Sequence, residues 1–487
     1  MLFNSYIFIF LFFPLVLIGY YSLNYARMYK PALIYLVGMS MWFYGYNNIY
    51  YLLILIVSIL INYSITTVMS RVNSTRARKL YLCVGILLNI GILFYFKYYD
   101  FFIENVNAVL KTDFTFLNLV LPLGISFYTF QQLSYVIDVY KKECENYSLL
   151  EYAAYVSFFP QLIAGPIVYH SELIPQFQDK KNKKLDFCNL SKGLYAFSLG
   201  LAKKVLIADT FSQIVTIGYN NISQLNTPSA FLVMVCYSLQ IYFDFSGYCD
   251  MAYGIGYMLN IKLPVNFNSP YKADSISDFW DRWHMTLTRF FTKYIYIPLG
   301  GNRKGKARTY LNVMIVFLIS GLWHGANWTF ILWGALHGIL SVFEKMTDVA
   351  SRKIPKVVKT VVTFLIVTFL WSLFRATSLT QATSLWSQLF SGGFGAIYSP
   401  ITDKFLDLVE ISFLYRAGLG NFMTAHPWFM LTAFVIITVF ACFIMKNTQE
   451  KTAKIKFTTK KLLVVVLLML WSILSLSEIS EFLYFNF

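Results

Sequence analysis

The stretch SGLWHGANWTFILWGALHG, from Ser320 to Gly338, holds two of the five histidines in a chain of 487 residues. Imidazole is the side chain most often used to move protons near neutral pH. Here it lies among three tryptophans and four glycines in a run otherwise apolar enough for lipid. An ionisable ring at membrane depth faces a bundle interior or a water-filled cavity, and a polar role is its default reading. His324 fits such a role: Gly321 and Gly325 leave its backbone accessible and Asn327 is a nearby polar partner. His337, between Leu336 and Gly338 and one turn after Trp333, fits a neutral imidazole that packs helices together. On one continuous helix the two rings would point about 220° apart, so they are not expected to share a metal.

A second constellation, DFWDRWHMTLTRFFTKYIYIPLGGNRKGKAR, runs from Asp278 to Arg308 and packs Asp281, Arg282, His284, Thr286, Thr288 and Arg289 into an aromatic setting. That many polar groups do not face lipid; the alternative to a site is an interfacial amphipathic helix with an aromatic belt. His284 stands out because it follows Trp283 on the stretch leading into membrane depth. Gly300, Gly305 and Lys306 satisfy most of a phosphate-loop pattern, but Ala307 stands where a magnesium-binding hydroxyl is needed and no strand precedes it. It reads as a basic turn.

Two further polar insertions interrupt apolar runs. SFFPQLIAGPIVYHSELIPQF places Pro160, Gln161, Gly165, Pro166 and His170 together, and SLQIYFDFSGYCDMAYG carries Gln240, Asp244, Ser246 and Asp250. Broken helices with unpaired carboxylates make pathways or pockets; the alternative is polar glue between helices. No GxSxG elbow or HExxH motif occurs, so neither a self-contained serine hydrolase nor a zinc protease is supported.

These residues must be positioned by membrane helices. The composition is 57% hydrophobic and 13% charged, and apolar runs near the roughly 20 residues needed to cross a bilayer recur throughout. Clear candidates are 6–21, 31–46, 50–69, 80–96, 231–245, 328–342, 361–374, 428–445 and 462–476; weaker ones are 117–135, 152–168, 194–217, 294–299 and 310–322. The fold class is therefore an all-α polytopic membrane protein of about 10–13 transmembrane helices plus re-entrant or interfacial pieces. N-terminal helices are expected over 1–117, a core bearing the motifs over 118–346, and C-terminal helices over 347–487. The opening MLFNSYIFIFLFFPLVLIGYY has no basic n-region and no small-residue cleavage site, so it reads as a retained helix.

The net charge of +16 does not indicate nucleic acid, because Lys and Arg cluster in short segments between spans. Such clusters lie at 71–79, 180–184, 303–308, 352–359 and 446–461. The positive-inside rule makes them cytoplasmic, which puts the N-terminus and the acidic end SEISEFLYFNF outside. From the 303–308 loop the segment 310–322 must climb outward and 328–342 must return, so His324 lies at the top of a hairpin. Thirteen residues rise only about 20 Å against a core of about 30 Å, which keeps His324 inside the membrane, reached from outside. Six scattered cysteines, with no CxxC pair, argue for neither a disulfide framework nor a metal.

LPLGISFYTFQQLSYVIDVY, FFPQLIAGPI, YFDFSGYCDMAYG, FWDRWHMTLTRFF, YIYIPLGGNRKG, SGLWHGANWTFILWGALHG and FRATSL follow one another along the chain. In this order they resemble the membrane-bound O-acyltransferase (MBOAT) family, in its bacterial branch of alginate O-acetyltransferase subunits and teichoic-acid D-alanylation proteins, nearly end to end. The resemblance implies an outward funnel and an inward tunnel meeting at a histidine, with the acyl donor cytoplasmic and the acceptor outside. The family's essential histidine matches His324 and its second polar position matches His284, where other acyltransferases of the superfamily carry Asn or Asp. The family often reads WLRDY before YIPLGG; Phe290-Phe291-Thr292-Lys293-Tyr294 stands here instead.

Residues and resemblance together give a set of expectations. His324 is the general base that takes a proton from an acceptor hydroxyl attacking a thioester, and His284 orients substrate or supports the oxyanion. Asn327, Trp323, Asp281, Arg282, Asp244 and Gln240 contact substrate, and Arg303, Lys304 and Lys306 attract the donor's phosphates. Acetyl-CoA is the expected donor, with no permanently bound cofactor and no metal. Expected partners are membrane lipid, an extracytoplasmic acetyltransferase of SGNH type and a polysaccharide acceptor, alginate-like or of the cell wall, at a bacterial plasma (inner) membrane. D-alanyl transfer to teichoic acid remains an alternative. So does a proton-coupled or polysaccharide transporter, although no internal repeat is seen.

Overall fold

A computed structural model describes residues 1–144, 147–347, 353–476 and 482–483, leaving aside the side chains of 409, 410 and 413. Arg352 and most of the acidic C-terminal stretch lie outside the described residues. Among the described residues the structure is helical, with no strand. Among the described residues six helices are long and apolar enough to cross a membrane: Phe8–Tyr25, Ile49–Arg71, Thr75–Leu110, Thr227–Met258, Lys356–Arg375 and Pro427–Ile444. Tyr29–Gly45 and Thr459–Leu474 match expected spans but are shorter, at 17 and 16 residues.

The weaker candidates resolve differently. The run 117–135 begins in non-helical chain and enters a helix only at Ile125–Lys141. The run 294–299 falls in a π-helical turn, Thr292–Tyr296, and the bends after it. The run 152–168 is interrupted as expected, by Leu149–Ser157, the single turn Phe159–Leu162 and then irregular chain to Tyr169.

The stretch 238–254, expected to be broken, is instead part of one unbroken 32-residue helix, Thr227–Met258. Gln240, Asp244, Ser246 and Asp250 are buried along it. The physical reason is that polar side chains leave the backbone hydrogen-bond ladder intact, whereas a proline would not. A span carrying such residues is stable only where protein surrounds it.

The chain divides into two compact units, each drawn from separate parts of the sequence. One comprises Met1–Leu201, Tyr248–Asn266 and Lys451–Asn486. Helix ends here carry clear signals. Asn48 caps Ile49–Arg71, accepting from the Tyr50 amide at 2.9 Å, and Ser148 forms a capping box with Glu151. Asn62 and Asn89 hydrogen-bond across neighbouring helices at 2.6 Å, the polar glue expected where both neighbours are otherwise apolar. In the same unit His170 opens the helix His170–Gln178 with its Nε2 3.1 Å from Asp138 Oδ2 and its Nδ1 3.4 Å from the Tyr147 hydroxyl.

The other unit comprises Ala202–Gly247 and Phe267–Glu450. At its centre the helices Lys306–His324 and Trp328–Thr347 form a hairpin. A Cβ at Gly321 would strike the Phe330 carbonyl oxygen, and one at Gly334 would strike that of Phe317. Small residues here let two backbones approach closely, as is common between membrane helices. The rising helix has 19 residues and begins at Lys306, so it climbs about 28 Å. The 20 Å expected from the apolar run is too short, because the basic residues Lys306 and Arg308 already belong to the first turns.

Candidate active site

The hairpin ends at His324, the last helical residue, followed by Gly325 in extended conformation (φ −163°). A Cβ at Gly325 would collide with the Phe330 ring, so this glycine admits the ring and does not leave the backbone open. The imidazole of His324 is 2% exposed. Three rings meet it nearly edge-on: Trp323 at 4.8 Å, Trp333 at 5.3 Å and Phe374 at 5.1 Å between centroids. Edge-to-face packing suits the quadrupoles of such rings and fixes position as well as burying area.

His284 approaches the same place from another element. It precedes the short helix Met285–Phe291 and is fully buried in the left-handed region, at φ 46° and ψ 49°. A non-glycine residue in that region costs roughly 1–3 kcal/mol and persists where its surroundings over-determine it, often at functional sites. Its ring packs against Phe245 at 4.9 Å and Trp323 at 6.0 Å. Trp323 is thus the shared neighbour of both candidate histidines, forty residues apart in sequence.

The same unit holds a cavity of about 260 Å³. Trp280, Phe291, Phe317 and Tyr296 supply aromatic walls, Thr288, Ser320 and Ser341 supply hydroxyls, and Asp281 and Lys345 contribute the charges. Ser320 is four residues before His324 on one helix, one turn away. Asp281 and Lys345 are both exposed, which marks the open end of the cavity. Asp281 lies in the turn between the helices Ile276–Trp280 and Met285–Phe291, outside any span. Partial burial, reinforced by Asp278, raises its carboxyl above the usual carboxylate range, against the pull of Lys345 and Arg282.

Other expected contacts are engaged elsewhere. Arg282 donates through Nε to Asp278 Oδ1 at 2.8 Å and lies within 3.4 Å of the Asn268 carbonyl. Asn327 donates to the Thr377 carbonyl at 2.9 Å while its Oδ1 accepts from the Thr329 amide at 3.0 Å, capping the returning helix. Gln240 sits one turn before Asp244, buried on the same helix. Arg303, Lys304 and Lys306 are exposed on the basic turn and do not line the cavity; Lys345 does.

Asp244, read as an unpaired carboxylate, is paired. Lys204 Nζ donates to its Oδ1 at 2.7 Å and lies 2.8 Å from Asp209 Oδ1. Lys204 sits in a π-helical turn, Lys203–Ala208, a local widening frequent at functional positions. Nothing in the local pattern couples residues 204 and 244; only the fold does. His337 does more than pack helices: its Nδ1 accepts from the Trp280 indole at 3.3 Å. Because the chain breaks between Gly325 and Asn327, the single-helix phase does not apply, and both His324 and His337 pack on Trp333.

The family model for the membrane-bound O-acyltransferases matches residues 140–386. A peptidoglycan O-acetyltransferase of Helicobacter pylori is 41% identical over 100% of this chain and 98% of its own length. The chain belongs to the membrane-bound O-acyltransferase family. A probable alginate O-acetylase of Pseudomonas aeruginosa is 38% identical over 81% of this chain and 75% of its own. A teichoic acid D-alanyltransferase of Bacillus subtilis is 27% identical over 52% of this chain and 68% of its own. As a membrane-bound O-acyltransferase the protein is a multi-pass membrane enzyme of bacterial inner-membrane type, and the relatives matched over most of the chain indicate O-acetyl transfer.

Proposed function

We propose that this enzyme takes an acetyl group from acetyl-CoA on the cytoplasmic side and delivers it toward an extracytoplasmic polysaccharide, with His324 as general base. The observation that carries this reading is the placement of His324 one helical turn beyond Ser320, a residue that lines a cavity whose open end holds Lys345. The cavity would hold the thioester arm, and Lys345 with the exposed Arg303, Lys304 and Lys306 would attract the donor's phosphates.

An acceptor hydroxyl, of a partner protein or of the sugar, loses its proton to His324 as its oxygen attacks the thioester carbonyl. The negative charge that develops on the carbonyl oxygen falls to His284 and the Trp323 indole N–H to stabilise. Collapse breaks the carbon–sulfur bond, and the departing thiolate takes the proton back from His324. The base contributes about 10²- to 10⁴-fold in rate. Peptidoglycan is the acceptor of first choice, because the relative matched over the whole chain acts on it, with an alginate-like polymer next.

The test is His324→Ala in the producing cell, with surface glycans read by mass spectrometry. The expected result is normal membrane abundance, normal polymer export and loss of acetyl esters. Unchanged acetylation refutes the role of His324, and lost export points to a transporter. A D-alanyl ester in place of acetyl names the other donor class.

A further inference from the structure

His337 and Trp280 are not used by the mechanism above, yet they are joined. Trp280 is a wall of the cavity, and its indole N–H donates to Nδ1 of the fully buried His337 at 3.3 Å. The acceptor role requires a neutral imidazole with its proton on Nε2. The imidazole itself is held by four aromatic neighbours. Phe279 and Phe317 lie nearly parallel to it at 6.5 and 6.3 Å, while Trp280 and Trp333 meet it near edge-on at 5.1 and 4.9 Å. Trp280 in turn packs on Trp333 at 5.6 Å, and Trp333 touches His324.

An indole in a cavity wall has several staggered rotamers; a buried N–H with one acceptor in reach selects the rotamer that keeps the bond. We propose that His337 is a positioning residue: by holding the Trp280 indole it fixes the depth of the cavity and so limits the acyl chain to a short one. The proposal rests on the reading of this cavity as the donor's site. It assigns His337 a task that packing alone would not need, because an apolar side chain of similar volume would fill the same space without orienting Trp280.

The test uses the full-length protein in native membranes and follows release of the CoA thiol from acetyl-CoA and from butyryl-CoA. His337→Leu and Trp280→Phe each lower the acetyl-over-butyryl rate ratio about 10-fold or more, the range that a methylene or two commands in an apolar pocket. The double variant adds nothing beyond either single change, the mark of one shared interaction. His337→Asn, whose Oδ1 stands near the position of Nδ1, restores the ratio. A ratio unchanged in His337→Leu while overall rate falls overturns the inference, as does failure of His337→Asn to restore it. Ser320→Trp, which fills the cavity, separates the two readings. If it leaves acetyl-CoA turnover intact, the cavity is not the donor site. If it abolishes turnover while His337→Leu keeps its selectivity, only the role of His337 falls.

Discussion

Two ways of burying polar side chains coexist in this membrane protein. His324 and His284 are surrounded by rings, sharing Trp323, whereas Lys204 is held by two carboxylates and His170 by Asp138 and a tyrosine hydroxyl. Ring contacts fix an imidazole by shape, through the quadrupoles of the rings around it. Charge pairing commits the polar atoms to each other; it holds helices in register and is damaging to break from one side. On the proposed mechanism, the difference separates the reacting groups from those that hold helices together.

That separation can be broken by experiment. Trp323→Ala removes the neighbour common to both candidate histidines; it is expected to lower acetyl transfer at least about 100-fold and thermal stability by about 3–5 kcal/mol, while Trp323→Phe keeps most of both. Equal activity in the alanine variant would mean the cage is not part of the site. Lys204→Met leaves Asp209 and Asp244 facing each other without their cation, at a cost of about 3–5 kcal/mol, measured as a lowered melting temperature in detergent. Activity per folded molecule should survive, and adding Asp244→Asn should recover part of the loss. The smallest effect is expected for His170→Ala, about 1–3 kcal/mol for the lost hydrogen bonds, with acetylation retained, in contrast to His324→Ala.

The elements most legible in sequence were those announced by uninterrupted apolar runs. Ile49–Arg71, Lys356–Arg375 and Pro427–Ile444 overlap the expected spans nearly end to end, because lipid-facing helices must be apolar nearly all round. Thr227–Met258 reads as broken in sequence because its buried polar residues lower the hydropathy just as a break would. The hairpin and the placement of His324 at its end were legible from the basic turn and the glycines. What Gly325 does was not: its neighbour is a ring five residues ahead that returns on the next helix. Lys204 and Lys345 carry no local signal for a related reason. Lys204 has one partner nearby, Asp209, but its other, Asp244, comes from a distant helix, and Lys345 faces Asp281 across the cavity.

The left-handed backbone at His284 has a further consequence, for how this position can drift over evolutionary time. Apart from glycine, asparagine and aspartate tolerate that conformation best, because their short polar side chains bond locally. A lineage that gives up the imidazole is therefore steered toward those two by the main chain before any selection on chemistry. Asn and Asp are also the residues that the superfamily resemblance associates with this position. The turn acts as a filter on the alphabet available to the site, and a donor or acceptor of new shape would have to be accommodated by changing the rings around it.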